Sequence, residues 1–201
     1  MHDKYGVFHD KYCYAGTDVL INLLNLRDSE ELIEAEIAFT AERYRTYQSQ
    51  VTQIEDFTLS HFKYLHFYLF QDLFEWAGDI REVDISKGDT RFCTVPRIEV
   101  EAEKLFQLVP KLSLIQSRDE LINQVASLFC ELNLIHPFRE GNGRVQRFFF
   151  EEMLFVLGYD LNWPVITQQQ WVEANIAGVY LDLEPLKTIF RQAISNLHSH
   201  Q

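Results

Sequence analysis

At 201 residues with 47% hydrophobic and 24% charged side chains, the chain has the size and make-up of one folded domain, which excludes a disordered, collagenous or repetitive protein. A net charge of −12 repels nucleic-acid phosphates at long range and argues against a non-specific DNA or RNA binder. The three cysteines, Cys13, Cys93 and Cys130, form no C-x-x-C pair and support neither a zinc knuckle nor a disulfide framework.

Met1-His2-Asp3-Lys4 lacks the apolar stretch of a signal peptide. The most apolar run, 148–157, is broken by Glu151 and Glu152 and is too short to span a bilayer. A cytoplasmic protein with no membrane partner is therefore expected.

Helical spacing begins over 29–47, with Ile33, Ile37 and Tyr44 on one side and glutamates opposite. No chemistry is visible in this first part, Tyr5, Tyr12 and Tyr14 included. Phe62, Leu65, Leu69, Leu73 and Trp76 predict a second helix over 58–76, ended by Gly78. The period then shortens. Val83 and Ile85 alternate with charged neighbours, Ser86-Lys87-Gly88-Asp89 supplies a turn, and Phe92-Cys93-Thr94-Val95 runs to Pro96, which reads as a short β-hairpin.

Helical spacing returns over 98–112. Ser117 and Glu120 form a capping-box pair, each expected to satisfy an orphan backbone donor. They open a helix with Leu121, Val125, Leu128, Leu132 and Ile135 on its apolar side, which Pro137 stops at Ile135 or His136. A helix over 142–157 follows a glycine-rich turn and is closed by Gly158. Thr167 and Gln170 make a second capping box, and helices near 168–178 and 184–197 finish the chain. No linker divides it. The expected fold class is all-α, a helical bundle with one β-hairpin flap.

The chemistry concentrates in residues 136–147. Gly141 and Gly143 flank Asn142 where a helix begins, and a helix N-terminus offers unpaired N–H donors and partial positive charge to an anion. Arg139, Arg144 and Arg147 form a local positive spot on an acidic protein. Arg144 and Arg147 are three apart, hence on one helix face, and suit the bidentate oxygens of a polyphosphate. Glu140 supplies a hard carboxylate oxygen, the kind magnesium uses together with substrate phosphates. His136 is the only residue of the segment whose side-chain type has an unperturbed pKa near neutrality, and a general base working at pH 7 is drawn from such a group. Taken singly, each has a plain explanation: a helix-end histidine, a turn, a solvated arginine face, a helix-start acid. Their coincidence in twelve residues does not.

The segment resembles the Fic family signature H-x-F-x-[D/E]-G-N-G-R-x-x-R at every fixed position: His136, Phe138, Glu140, Gly141, Asn142, Gly143, Arg144 and Arg147. Leu73-Phe74-Glu75-Trp76-Ala77-Gly78, Arg81 and the stretch 85–90 are similar to the helix end and flap that precede this signature. On that resemblance, 58–191 is a Fic domain, 1–57 a helical extension packed on it, and 192–201 the helix end and tail.

The resemblance implies protein adenylyl transfer, in which AMP moves from magnesium-bound ATP to a Tyr, Ser or Thr hydroxyl. It assigns His136 as base and Glu140 as magnesium ligand. It gives Gly141, Asn142, Gly143, Arg144 and Arg147 to the phosphates, with Lys87 and Gly88 bordering the nucleotide. Phe138 anchors the loop in the core. The flap residues Ile85, Asp89, Thr90, Arg91 and Phe92 would register the target segment by strand addition.

Family members that inhibit themselves carry [S/T]-x-x-x-E-[G/N]. Here only Ser127 has a glutamate four residues on, Glu131, and Leu132 follows it. The resemblance to stand-alone bacterial toxins implies a separate small antitoxin, whose glutamate would meet Arg147. It also implies a target among the ATPase subunits of type II topoisomerases, the DNA gyrase B subunit or its topoisomerase IV counterpart. The alternatives are transfer of phosphocholine or phosphate, and a non-catalytic binding module. A general metallohydrolase would need a second histidine or a cysteine cluster, and His61 and His66 read as packing or surface residues.

Overall fold

A computed structural model describes residues 10–197. Met1–Lys4, Tyr5 and residues 198–201 of the expected tail lie outside the described residues.

Helix α1 (Ser29–Thr46) starts on Asp28, whose carboxylate accepts the Glu30 and Glu31 N–H groups, and carries Arg43 and Arg45 in its last turn, where they complement the dipole. Its buried stripe is Leu32, Glu36 and Thr40. The expected stripe of Ile33, Ile37 and Tyr44 is exposed instead. A polar residue with a cation waiting for it can occupy an inward position, and apolar periodicity does not register that.

Helix α2 (Leu59–Phe70) is capped by Thr58, which accepts the His61 N–H. It ends at Phe70 and not at Trp76. The Leu73 carbonyl accepts the Leu23 N–H at 2.8 Å, and 71–78 proceeds through turns that keep Leu73 and Phe74 buried while the chain changes direction. Gly78 closes this stretch at φ 86°, where a Cβ would stand 2.9 Å from Phe67 Cβ and 3.2 Å from the Lys63 carbonyl.

The hairpin is shorter than expected. β1 (Ser86–Lys87) pairs antiparallel with β2 (Thr90–Arg91), Ser86 opposite Arg91 and Lys87 opposite Thr90. Beyond it the chain leaves the ladder, because the Cys93 N–H donates to the Leu134 carbonyl at 3.0 Å. Helix α3 (Ile98–Phe106) is followed by a separate 3₁₀ segment, Val109–Leu114, and does not run on to 112. Pro110 has no N–H to extend an α-helix.

Helix α4 (Arg118–Ile135) shows half of its capping box: Ser117 Oγ accepts the Glu120 N–H, while the Glu120 carboxylate accepts Gln124 Nε2. Helices α5 (Asn142–Val156), α6 (Gln168–Val179) and α7 (Glu184–Ala193) complete the bundle, and the Thr167–Gln170 box opening α6 is reciprocal. α7 stops before 197 because β4 (Ile194–Asn196) pairs with β3 (Tyr159–Leu161), Tyr159 opposite Asn196. This second small sheet is absent from the sequence expectation: three-residue strands far apart in the chain leave no periodic trace.

The architecture is the expected all-α bundle. α4 packs against α3, α5, α6 and α7, and α2 against α1 and α5. Phe57, Phe62, Phe106, Phe138 and Phe149 meet at ring centroids of 5.3–5.6 Å in the centre. Rings at these separations add directional attraction to their burial. Among the described residues no helix is long and apolar enough to cross a membrane.

Candidate active site

The segment 136–141 links the end of α4 to the start of α5. Pro137 forces the break, and His136 takes a left-handed conformation, φ 47° and ψ 62°. Such a conformation costs a non-glycine residue about 1–2 kcal/mol, so the surroundings must hold it.

Arg81 supplies much of that hold. It is 1% exposed; Nε donates to the His136 carbonyl at 2.8 Å, Nη1 to Val83 at 2.7 Å, and Nη2 to the Cys93 and Ile135 carbonyls. Its own N–H donates to the Pro137 carbonyl at 2.9 Å. One guanidinium thus ties the flap's base to the carbonyl end of α4, where a positive charge also meets the helix dipole. A resemblance placed Arg81 near the flap; only the fold shows that it holds the signature loop.

His66 is the second support. Its Nδ1 accepts the Gly78 N–H at 2.8 Å, so Nε2 bears the proton and donates to the Glu140 carbonyl at 2.9 Å. Burial pushes its pKa down to about 3, against the opposing pull of Glu140. The neutral ring stacks on Phe138 at 3.9 Å.

Asn142 closes the loop on itself. Its Oδ1 accepts the Phe138 N–H at 2.9 Å and its Nδ2 donates to the Phe138 carbonyl at 2.7 Å. The side chain is therefore committed to the loop, and Asn142 offers phosphate its backbone. Gly141 has φ 79°, and a Cβ there would stand 2.2 Å from Phe70 Cζ. Glu140, 6% exposed, is oriented by the Gly141 N–H, which donates to Oε1 at 2.8 Å.

His136 Nδ1 lies 3.0 Å from the Asn133 carbonyl. A carbonyl only accepts, so Nδ1 bears the proton and Nε2 carries the lone pair. The ring is stacked on Phe92 at 3.9 Å and 12°.

These groups line a cavity of about 1010 Å³. It joins His136, Glu140, Gly141, Asn142, Gly143, Arg144 and Arg147 with Lys87, Gly88, Thr90 and Phe92 of the flap. Arg144 Nη2 bonds Glu36 and lies 3.5 Å from Glu140 Oε1. Arg147 sits 5.9 Å from the Trp171 ring centroid. Burial pushes its pKa down, Glu151 pulling the other way, and it stays charged at neutral pH.

One expectation needs correction. Arg139 is no part of the positive spot: it is 2% exposed and its Nε pairs with Asp10 at 2.7 Å. Ile85 and Phe92 are buried beneath the flap with Val83 packed against them, and Phe92 also lines the cavity. Lys87, Gly88, Asp89 and Arg91 are the exposed ones. Sequence reasoning also missed one wall of the cavity, where α1 contributes Ile33, Glu36 and Ile37 and the α6 side contributes Trp163 and Trp171. Glu36 left no signal, because its partner lies 108 residues away.

The Fic/DOC family profile matches residues 56–154. A "probable protein adenylyltransferase Fic" of Escherichia coli K12 is 38% identical over 97% of each chain. The BepC protein of Bartonella tribocorum, solved with bound AMPPNP, superposes with a TM-score of 0.82 at 26% identity, over 92% of this chain and 96% of the other. The N-terminal Fic domain of a Bep effector from Bartonella quintana, solved with ADP, gives 0.83 at 27% identity over 94% and 96%. A mostly helical bundle with a small antiparallel hairpin is the fold this chain shares with them. This chain belongs to the Fic/DOC family.

Proposed function

We propose that this chain is a protein adenylyltransferase that moves AMP from ATP to a hydroxyl side chain of another protein. The observation that carries this reading is one cavity holding His136, Glu140, the α5 N-terminus, Arg144 and Arg147 together. The relatives named protein adenylyltransferases, and the neighbours solved with AMPPNP and ADP, support it.

In this reading the target hydroxyl gives its proton to His136 Nε2 as its oxygen attacks the α-phosphorus. The bond from that phosphorus to the β-bridging oxygen breaks and pyrophosphate leaves. A positioned base of this kind contributes about 10²–10⁴-fold. The backbone N–H groups at the α5 N-terminus, with Arg144 and Arg147, take the negative charge of the phosphates, while Trp163 and Trp171 offer an apolar wall to the base.

Glu140 fits a magnesium ion: it is one oriented carboxylate on the cavity wall, and magnesium takes one or two carboxylates with substrate oxygens and water. Bound there, the ion would neutralise charge on the phosphates. The flap would receive the target segment along the β1–β2 edge, through Lys87, Asp89, Thr90 and Arg91, with Ile85 and Phe92 as its underside.

The finer reading is a toxin held by a separate antitoxin whose glutamate meets Arg147, acting in the cytoplasm on the DNA gyrase B subunit or its topoisomerase IV counterpart. Exposed Ile33, Ile37 and Ile176 on the cavity rim offer an inhibitory helix an apolar seat. The test uses ATP labelled on the α- or the γ-phosphate, with those purified subunits as targets. Label is expected from the α position only, and His136→Ala should abolish it while remaining folded. Transfer of γ-label, or normal labelling by His136→Ala, overturns the reaction or the base respectively.

A further inference from the structure

The family profile begins at residue 56, and α1 precedes it. Yet α1 lines the cavity, and Glu36 within it is 7% exposed between Ile33 at 55% and Ile37 at 62%. A carboxylate that deep is costly unless paired. Its Oε2 bonds Arg144 Nη2. The same guanidinium lies 3.5 Å from Glu140 Oε1 and 4.8 Å from the Phe70 ring centroid, so it is held between two carboxylates and an aromatic ring.

The two carboxylates have different consequences. Arg144 and Glu140 are four apart, within reach of each other on their own segment. An arginine drawn fully onto Glu140 would neutralise the one acidic side chain fitted to a cation and would turn its donors from the phosphates. Glu36 pulls from the opposite element. Two turns further along α1, the Tyr44 hydroxyl donates to Glu151, which also takes Trp163 Nε1 at 2.6 Å, so α1 is anchored beside both motif arginines.

We propose that Glu36 is a positioning residue of the nucleotide site: it holds Arg144 away from Glu140 and aims it at the phosphates. α1 is thereby part of the catalytic unit. This rests on the adenylyl-transfer reading.

The test compares wild type, the near-isosteric E36Q, R144A and the double variant E36Q/R144A by calorimetric ATP binding and by α-label transfer. E36Q should weaken ATP binding about tenfold and raise KM for ATP more than it lowers kcat, while in the R144A background it should change either by less than about twofold. The magnesium concentration for half-maximal rate should rise in E36Q, because Arg144 then competes for Glu140. A purely structural Glu36 would give the same loss with or without Arg144. E36Q within about twofold of wild type, or an undiminished loss in R144A, overturns the proposal.

Should E36Q not fold by circular dichroism, E36D keeps the charge and withdraws it by one methylene. A loss of about threefold confined to the Arg144 background is then expected, and one that is absent, or that persists in R144A, overturns it. Wild type that neither binds ATP nor transfers α-label sinks the adenylyl-transfer reading and this one together. Wild type that does both, with E36Q unchanged, sinks this one alone.

Discussion

The signature loop and the flap face each other across one cavity, and they are built on opposite principles. Loop 136–141 has its backbone gripped by Arg81, His66 and Asn142 and has no room at Gly141 for a single methyl group. The flap is two residue pairs of ladder with one buried face, Ile85 and Phe92, and an exposed turn at Gly88 and Asp89. Chemistry on a phosphorus needs groups held to fractions of an ångström. The proposed reception of a protein segment at the flap needs an open strand edge, which few contacts suffice to define. The loop is therefore intolerant and the flap permissive, and substitutions should separate them.

The largest effect is expected at Gly141. Alanine there adds left-handed strain and a clash with a fully buried Phe70 ring, for about 3 kcal/mol in all, or a fall of roughly 6–12 °C in melting temperature by calorimetry. A smaller shift would mean that the loop yields as readily as the flap.

His66 gives the loop a pH dependence of known sign. The folded protein holds this ring neutral, with a pKa near 3, while the unfolded chain protonates it near 6.5. The unfolded state thus binds more protons between those values, and the ring's contribution is complete above pH 6.5 and lost progressively on acidification toward 3. From this site alone, stability should fall by about 2–3 kcal/mol between pH 7 and pH 4.5. Denaturation at a series of pH values should show that slope in wild type and lack this part of it in His66→Gln.

The flap should respond least. Phe92→Ala removes the ring stacked on His136 and should slow α-label transfer roughly tenfold, since ångström-scale misplacement of a reacting group costs up to about 10². Lys87→Ala, at the exposed turn, should stay within about threefold in rate and about 0.5 kcal/mol in stability. A Lys87 effect equal to that of Phe92 would erase the contrast between the flap's two faces.

The reading of residues 136–147 needed only the chain, because its members are neighbours there: a glycine pair, a proline and charges at helical spacing define a turn and a helix start by local rules. Most helices were legible for the same reason, and the Thr167–Gln170 cap came out complete. The failures share a cause. The helix read to Trp76 stopped at Phe70 where a distant strand of chain, through Leu23, took the Leu73 carbonyl. The β3–β4 sheet and the buried face of α1 likewise depend on partners remote in sequence.

By itself, then, the sequence determined the helical class, the signature turn and which side chains could do chemistry, since spacing along a chain dictates local backbone and composition dictates reactivity. The tertiary structure alone decided that Arg139 is spent on Asp10, that Asn142 serves the loop, that Arg81 and His66 hold it, and that Glu36 stands beside Arg144. Buried charges and carbonyls must find partners wherever the fold brings them, and no local pattern records where that will be.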